Sequence, residues 1–221
     1  MIRISTITAT AKLSIRLNLQ SLKNMTFDNG EFVVTDTVKF GNQITLKNPM
    51  DHVSVKLFRN GSIHMTGLKS EQDMLVKANK VLEFLQRVAV ENINISDVKV
   101  VMINSDFDAG IRIHREKLCQ HMIRHHHHIL CSYEPCIYQG VIIKYMCNDK
   151  PHSHQGVCQC DAVTCNGKGR GLGHGNCRKV SIIVFHSGKV LITGAVTMAQ
   201  IQEAHCFINN ELHQWHTTLL L

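Results

Sequence analysis

The sequence predicts an α+β fold made of two copies of one unit, each a sheet with helices on one face. The first observation is a repeat: residues 53–67 and 180–194 share six identities in fifteen positions. The second is that both segments place a glycine between two alternating runs, which indicates a β-hairpin. The third is that each hairpin precedes a segment with the apolar period of a helix. Strands covered on one face by helices are typical of the α+β class.

Each copy is expected to begin with a strand and a short helix. Alternation of apolar and polar residues predicts the strand, near Ile4–Leu13 in the first copy and Val98–Ile103 in the second. The short helix is predicted at Leu19–Met25 and at Glu116–Ile123.

The hairpin and a closing helix complete each copy. Gly61 and Gly188 occupy the hairpin turns, where a positive φ is needed. The closing helix is predicted to start after Ser70 in the first copy and after Thr197 in the second, because a hydroxyl there can cap the first turn.

The second copy is interrupted by an insertion rich in cysteine, histidine and glycine. The segments Ile15–Leu17 and Ile111–Ile113 are 96 residues apart, whereas the hairpins are 127 apart. The difference places 31 extra residues in the second copy, and composition locates them at Cys147–Cys177. We therefore predict a first repeat at residues 1–90 and a second at 91–221, interrupted at 147–177.

Composition limits the classes of function. There are 24 Lys and Arg against 17 Asp and Glu, so the net charge is +7, which is compatible with a polyanionic partner. Apolar runs reach only about six residues, too short to cross a membrane. The N-terminal segment lacks the apolar core of a secretory signal, and nine cysteines cannot all pair within one chain. We expect a reducing compartment and free or metal-bound thiols.

Sequence patterns that mark common enzymes are missing from the chain. It contains no H-E-x-x-H, no P-loop, no G-x-S-x-G, and no Cys/His pair with an orienting acid. We therefore expect no enzymatic activity. A metal-dependent enzyme built on the insertion is the alternative that these patterns fail to support.

Three motifs together resemble the TATA-box-binding protein family, whose core consists of two repeats. The pattern F-x-S-G-K-x-x-x-T-G is complete at Phe185–Gly194 and degraded at Phe58–Gly67; SYEP, an aromatic residue and a glycine follow one another within Ser132–Gly140; IRL and IRI occur near the start of the two copies. The resemblance covers nearly the whole chain outside the insertion. It implies a pseudo-twofold saddle, a curved antiparallel sheet with helices on the convex face.

The resemblance also implies a function. Proteins of this family are transcription initiation factors that grip the DNA minor groove with the concave sheet and bend promoter DNA to recruit the transcription machinery. Aligned with the family, the DNA-binding residues are the aromatic wedges Phe40, Phe58, Tyr138 and Phe185, the threonines Thr66 and Thr193, the apolar Leu191, and the basic Lys69, Lys144 and Lys189. The alternative is a saddle-fold scaffold that acts through protein contacts, with weakened or lost TATA specificity.

Departures from the family pattern put the TATA preference in doubt. Thr6 and Val100 occupy positions where the family has asparagines that hydrogen-bond to bases, and valine offers no such bond. Lys56 and His64 replace apolar groove residues, and Ser62 replaces a basic one. The fold is therefore expected to carry over better than the sequence preference.

The resemblance implies partners as well as DNA. Tyr133, Glu134 and Pro135 match the family loop that contacts the B-type initiation factor, while Cys136 replaces an acidic residue. The expected partners are double-stranded promoter DNA, a specialised B-type factor and the RNA polymerase machinery, without a membrane or a small-molecule substrate. The divergence fits a relative from a large DNA virus, so we expect a nuclear location or a cytoplasmic viral replication site.

The resemblance implies no cofactor for the saddle, but the insertion has the ligand types of a structural zinc site. The best ligand set is Cys158, Cys160, Cys165 and Cys177, with Cys147 or His174 as substitutes. A glycine-rich loop without metal and a disulfide remain open. The run His125–His128 is interpreted as a solvated loop or helix end, with metal binding as the alternative, and Cys119, Cys131 and Cys206 are expected to be buried.

Overall fold

The computed structural model describes residues 1–23, 32–35, 41–48, 50–88, 92–148, 156–158, 160 and 177–214. Within these residues the chain forms ten strands and four helices. The strands are β1 Arg3–Leu13, β2 Val33–Thr35, β3 Gln43–Lys47, β4 Ser54–Phe58, β5 Ser62–Leu68, β6 Ile95–Asp108, β7 Leu130–Ser132, β8 Val141–Cys147, β9 Arg178–Val184 and β10 Lys189–Ala195. The helices are α1 Leu19–Lys23, α2 Glu71–Val88, α3 Arg115–His125 and α4 Met198–Gln214.

The chain divides into two compact units. Unit 1 contains Met1–Ser5 and Ile103–Leu221, and unit 2 contains Thr6–Met102. Strands β1 and β6 therefore contribute residues to both. The strand order is β2-β3-β4-β5-β1 in unit 2 and β6-β10-β9-β8-β7 in unit 1, with antiparallel pairing throughout.

Equivalent hydrogen bonds confirm the internal repeat. In unit 2 the amide of Leu17 donates to the carbonyl of Arg59 over 2.9 Å, and in unit 1 the counterparts Ile113 and His186 are joined over 3.0 Å. The amides of Leu13 and Ala109 donate in the same way to the carbonyls of Gly61 and Gly188. Both spacings found in the sequence, 96 and 127 residues, are thus reproduced in the backbone.

The hairpin glycines have the conformation that the sequence predicts. Gly61 has a φ of 82° and Gly188 a φ of 87°. Each also approaches another part of the backbone, because a Cβ atom on Gly188 would lie 2.1 Å from the carbonyl oxygen of Ile111. Position 188 therefore excludes a side chain for two reasons, the left-handed φ and the lack of space.

Alternation along the strands separates a buried face from a half-exposed one. On β8 the side chains of Val141, Ile143 and Tyr145 are buried, while those of Ile142, Lys144 and Met146 are not. Tyr145 packs against Phe207 of α4 with ring centroids 4.9 Å apart, and its hydroxyl donates to Glu203 over 3.0 Å. The helices of unit 1 thus cover one face of its sheet, as period-2 alternation predicts.

The closing helices begin at the predicted caps. The hydroxyl of Ser70 accepts from the amide of Asp73 over 3.0 Å, and that of Thr197 accepts from the amide of Gln200 over 3.3 Å. Both caps satisfy backbone donors that the first helical turn leaves without an intrahelical acceptor. None of the helices in the described ranges is long and apolar enough to cross a lipid bilayer.

The insertion lies between β8 and β9, as predicted. The two strands stay paired up to Cys147 and Arg178, so Cys147, predicted as the first residue of the insertion, instead ends β8, and the connection comprises residues 148–177. Inside the insertion, the carbonyl of Gly156 accepts from the amide of Met146 over 2.9 Å. A Cβ atom on Gly156 would come within 2.6 Å of Ile129 and 2.8 Å of the Tyr145 ring, so this part of the insertion packs closely on the core.

The expected burial of three cysteines is wrong. Cys206 is exposed, and Cys119 and Cys131 are half-buried with their sulfur atoms 3.6 Å apart. The buried residues of α4 include Ile201, Ala204 and Ile208, so helical periodicity turns position 206 away from the core.

Candidate nucleic-acid interface

A row of hydrogen-bonding side chains crosses the half-exposed face of unit 1. Strand pairing aligns one residue from each of β8, β9, β10 and β6, namely Lys144, Ser181, Thr193 and Asn104. The Lys144 ammonium donates to the Ser181 hydroxyl over 2.8 Å, and the Thr193 hydroxyl donates to the Asn104 side-chain carbonyl. The base edges in the minor groove offer mainly acceptors, so amide, hydroxyl and ammonium donors match them chemically.

An apolar row runs beside it in unit 1. The same strands align Ile142, Ile183 and Leu191, all half-buried, and the row ends at Asp106 on β6. The predicted site residue Leu191 is therefore one end of a three-residue apolar strip whose centre is Ile183. Such a strip suits contact with the sugar walls of a narrow groove better than contact with water.

The aromatic residues Tyr138 and Phe185 form a pair beside this strip. Their ring centroids are 6.0 Å apart at 63°, and Tyr138 is 39% exposed. Gly140 makes the arrangement possible: a Cβ atom there would lie 2.5 Å from Ile183 and 3.0 Å from the Tyr138 ring. The structure thus brings together the two aromatic residues that the resemblance aligned as wedges of the second repeat.

The loop that carries the SYEP motif leads directly to Tyr138 of this pair. The carbonyl of Glu134 accepts from the amides of Ile137 and Tyr138 over 2.9 and 2.8 Å. The Arg115 guanidinium lies 5.2 Å from the centre of the half-buried Tyr133 ring. Glu134, Pro135 and Cys136 are exposed, so the loop presents a surface beside the aromatic pair.

The negative charge of Asp106, at the end of the apolar row, is balanced by groups within unit 1. The Ser5 hydroxyl and the Arg3 guanidinium donate to Asp106. These bonds and the nearby charges of Arg3 and Lys189 outweigh burial and hold the pKa of Asp106 below its usual range. The carboxylate therefore stays ionised, and Arg3 is engaged with it.

The basic residues of unit 1 differ in environment. Lys189 is exposed at the start of β10, opposite Asp108. Lys144 is half-buried in the polar row, where burial and the charge of Lys179 lower its pKa. Lys144 belongs to the polar row, and Lys189 lies two residues before Leu191 on β10.

Unit 2 repeats the first row but not the second. The row Lys47, Ser54, Thr66 and Thr8 corresponds to the polar row of unit 1. In place of the apolar row, unit 2 aligns Thr45, Lys56, His64 and Thr10. The two units therefore present different chemistry, because one strip is apolar and its counterpart is polar with exposed Lys56 and His64.

The predicted wedge of unit 2 is described at Phe58 only, since Phe40 lies outside the described residues. Phe58 is half-buried, with its ring 5.3 Å from that of His64 at 65°. It lines a cavity of about 260 Å³ together with Arg16, Asn42, Arg59 and Asn60. Lys69 is exposed between β5 and α2, outside the two rows of unit 2.

Residues that the sequence reasoning did not identify are Asn104 and Asp106. Both lie on β6, and their places in the rows depend on its register against β10, which pairs Asn104 with Thr193 and Asp106 with Leu191. Alternation within β6 indicates which residues share a face but not which neighbours they meet.

Three of the four predicted zinc ligands lie close together. The sulfur atoms of Cys158, Cys160 and Cys177 are all within 4.8 Å of one another, and Cys165 lies outside the described residues. The substitute Cys147 is buried at the end of β8, where burial and Glu203 raise the pKa of its thiol well above the usual range. Among the described residues, Cys147 does not belong to this group of three sulfur atoms. The substitute His174 lies outside the described residues.

The comparisons with known proteins agree with the motifs. The family model described as transcription factor TFIID (or TATA-binding protein, TBP) matches residues 1–88 and 97–215. The chain belongs to the TATA-binding protein family. It is 28% identical over 209 residues to a TATA-box-binding protein-like protein of Acanthamoeba polyphaga mimivirus, covering 81% of this chain. It is 24% identical over 202 residues to the TATA-box-binding protein of Emericella nidulans, covering 90% of this chain.

The structural comparison confirms the fold. The chain superposes on Methanococcus jannaschii TBP with a TM-score of 0.64 at 18% identity, covering 96% of this chain and 98% of the other. The predicted α+β saddle fold of two TATA-binding protein repeats is therefore confirmed. The chain spans 50% of the length of the mimivirus relative and 59% of the E. nidulans one. The chain is thus a divergent member of the TATA-binding protein family.

Proposed function

We propose that this chain is a transcription initiation factor that binds promoter DNA in the minor groove and bends it. The observation that carries the proposal is the Tyr138–Phe185 pair beside the apolar strip of unit 1. Minor-groove proteins insert apolar wedges between base steps and kink the duplex by about 20–90°, a range that includes the TATA-binding proteins themselves. The proposed DNA contacts are those that the resemblance implies, extended by Asn104 of the polar row.

Electrostatics supports a salt-dependent share of the binding. Lys189 is exposed and Lys144 lies in the polar row, and each phosphate that a lysine neutralises releases counterions. The bonded pair of Arg3 and Asp106 adds little net charge to this face. The affinity is therefore expected to depend on a few cations and on the buried apolar strip, rather than on a uniform basic surface.

The second row is apolar in unit 1 and polar in unit 2, so the two units are suited to different contacts with DNA. The apolar strip of unit 1 suits close contact with an A·T-rich groove floor, where no guanine amino group projects. In unit 2 the exposed Lys56 and His64 suit phosphates and bridging water instead. Thr6 is also engaged, because its hydroxyl accepts from the amide of Gly67 over 3.0 Å. We propose that one half of the DNA site is read more strictly than the other.

The deciding experiment measures binding and bending together. A short duplex library with randomised sequence, labelled at both ends with a fluorescence donor and acceptor, is titrated with the full chain at several salt concentrations. We expect binding that weakens as salt rises and an increase in energy transfer, because bending brings the ends together. Sequencing the bound fraction gives the site, with one conserved half. Binding without increased energy transfer, or no binding at the lowest salt, would favour the scaffold alternative.

The SYEP loop is proposed to bind a B-type initiation factor. Tyr133 is held by Arg115, and the exposed Glu134 and Pro135 lie one turn before the aromatic pair. A partner on this loop would therefore contact the protein next to the bent DNA. RNA polymerase would be recruited through that partner, in the nucleus or at a viral replication site, and the similarity to a mimivirus protein agrees with the second.

The insertion is proposed to hold a structural zinc ion. Cys158, Cys160 and Cys177 supply three thiolates, and Cys165 is the fourth ligand that the sequence suggests. Zinc prefers four such ligands in a tetrahedron, and small segments with few apolar residues gain their fold from it.

Zinc analysis of the purified chain tests the insertion site. We expect one ion per chain that resists dialysis, and its loss in a Cys158→Ser/Cys177→Ser double variant, since two thiolates are removed. A Cys206→Ser variant is the matched control, because Cys206 is exposed on α4 and outside the cluster. Equal zinc content in the double variant and the control would contradict the site.

A further inference from the structure

A second cluster of metal-binding side chains joins the two long helices of unit 1. The Nε2 atom of His121 lies 2.9 Å from Oε2 of Glu211, and the Nε2 atom of His126 lies 3.0 Å from the same oxygen. His121 is in α3, His126 follows the last residue of α3, and Glu211 is in the last turn of α4. The three potential ligand atoms all lie within 4.8 Å of one another.

The cluster is shielded from water. The side chains of His121, His126 and Glu211 are 6%, 26% and 11% exposed. The Phe207 ring packs edge-on against His126, with centroids 5.3 Å apart, and the ring of His125 lies 4.6 Å from that of His121. A carboxylate removed from water in this way needs a compensating cation or several donors.

The positions of the helix ends increase this need. Helix C-termini carry a partial negative charge, and carboxylates are disfavoured there. Glu211 belongs to the last turn of α4, and His126 caps the end of α3 with its amide donating to the carbonyl of Met122 over 2.8 Å. Two negative helix ends and one carboxylate therefore meet at the same place, where a bound cation would be stabilised.

We propose that His121, His126 and Glu211 form a transition-metal site, with Zn²⁺ as the ion. Two imidazoles and one carboxylate are a ligand set that zinc accepts, with the fourth position left to water. Zinc bonds of 2.0–2.2 Å to nitrogen and oxygen place tetrahedral ligand atoms about 3.3 Å apart. The observed separations of 2.9 and 3.0 Å come close to that spacing, so small side-chain movements are enough to admit the ion. The site would fasten α3 to α4 on the buried face of the sheet.

Cobalt titration of the full chain tests this site separately from the insertion. Cys158, Cys160, Cys165 and Cys177 are first replaced by serine, so that the proposed insertion site is removed and five cysteines outside it remain. In this background we expect one Co²⁺ per chain, with the visible absorption of a tetrahedral site and without the near-ultraviolet bands of sulfur ligands. Zinc should displace the cobalt and raise the melting temperature, because an ion that binds only the folded state stabilises it.

Substitutions show whether the cobalt binds this cluster or other histidines. Glu211→Gln and His126→Gln should each weaken cobalt binding by more than about 100-fold, since even indirect supports of metal ligands are worth 10–100-fold. The matched control is His127→Ala/His128→Ala, which removes two exposed histidines from the same run and should leave binding unchanged. If the chain without these four cysteines takes up no cobalt, or if Glu211→Gln and His126→Gln bind it as tightly as the control, the site does not exist. Circular dichroism of each variant verifies that it is folded.

Discussion

Replacing both Tyr138 and Phe185 with alanine is expected to reduce the affinity for duplex DNA at least about thirtyfold and to abolish bending. Stacking of an aromatic side chain on a base contributes about 1–3 kcal/mol, so two such contacts account for about 2 kcal/mol or more. The pair is held at 6.0 Å beside the apolar strip, where it can enter a base step without a change in the sheet. Fluorescence anisotropy gives the affinity, and energy transfer between labelled ends gives the bend.

Two control variants separate wedge insertion from general damage. Tyr138→Phe keeps the ring and should retain bending. Tyr133→Ala removes an aromatic side chain from the neighbouring loop, so it should retain duplex binding and weaken the binding of a B-type factor. If the double variant bends DNA as well as the unaltered chain, or if Tyr133→Ala loses bending to the same extent, the wedge assignment is wrong. Thermal unfolding of all three variants verifies that each is folded, since Tyr138 is 39% exposed and Phe185 and Tyr133 are half-buried.

Replacing Gly188 with alanine is expected to destabilise the protein by at least about 3 kcal/mol. A side chain at a φ of 87° costs about 1–2 kcal/mol by itself. The added Cβ atom would also lie 2.1 Å from the carbonyl oxygen of Ile111, so the backbone of the hairpin has to move. At about 2–4 °C per kcal/mol for a chain of this size, the melting temperature should fall by at least about 6 °C.

Gly110 offers a matched control that separates the cost of the left-handed backbone from the cost of the close contact. It has a φ of 73°, and a Cβ atom there would meet no other atom within 4 Å. Gly110→Ala should therefore cost only the conformational share, about 1–2 kcal/mol. Asparagine tolerates left-handed backbone, so Gly110→Asn should recover most of the loss, whereas Gly188→Asn should not. Equal losses at positions 110 and 188 in urea unfolding would show that the contact with Ile111 is unimportant.

The repeat made much of the fold predictable from the sequence. Because residues 53–67 match residues 180–194, the same turns and caps are expected in both copies. The hydrogen bonds of Gly61 and Gly188 confirm this expectation. The spacings of 96 and 127 residues also located the insertion between two strands. These features depend on local chemistry, namely glycine in a turn and a hydroxyl at a helix start.

Contacts between distant segments could not be predicted in the same way. Arg3 meets Asp106 across 103 positions of sequence, and His121 meets Glu211 across 90. Both depend on the register of strands or the rotation of helices, which apolar periodicity fixes only to a face. The sequence shows the histidine run at positions 125–128, but it does not indicate that the buried His121, one helical turn earlier, is a partner of Glu211. Phe40 and Cys165 lie outside the described residues, so their roles stay predictions.

The connection between β8 and β9 shows where this chain can gain sequence without a change of fold. Unit 2 joins β3 to β4 with residues 48–53, whereas unit 1 joins the equivalent strands with residues 148–177. In both units the strand ends are paired in register, Lys47 with Ser54 and Cys147 with Arg178. The protein thus carries a short and a long version of one connection, and the short one can be transplanted into unit 1. Any activity that depends on the cysteines of the insertion can therefore be removed without changing the sheet face that we propose binds DNA.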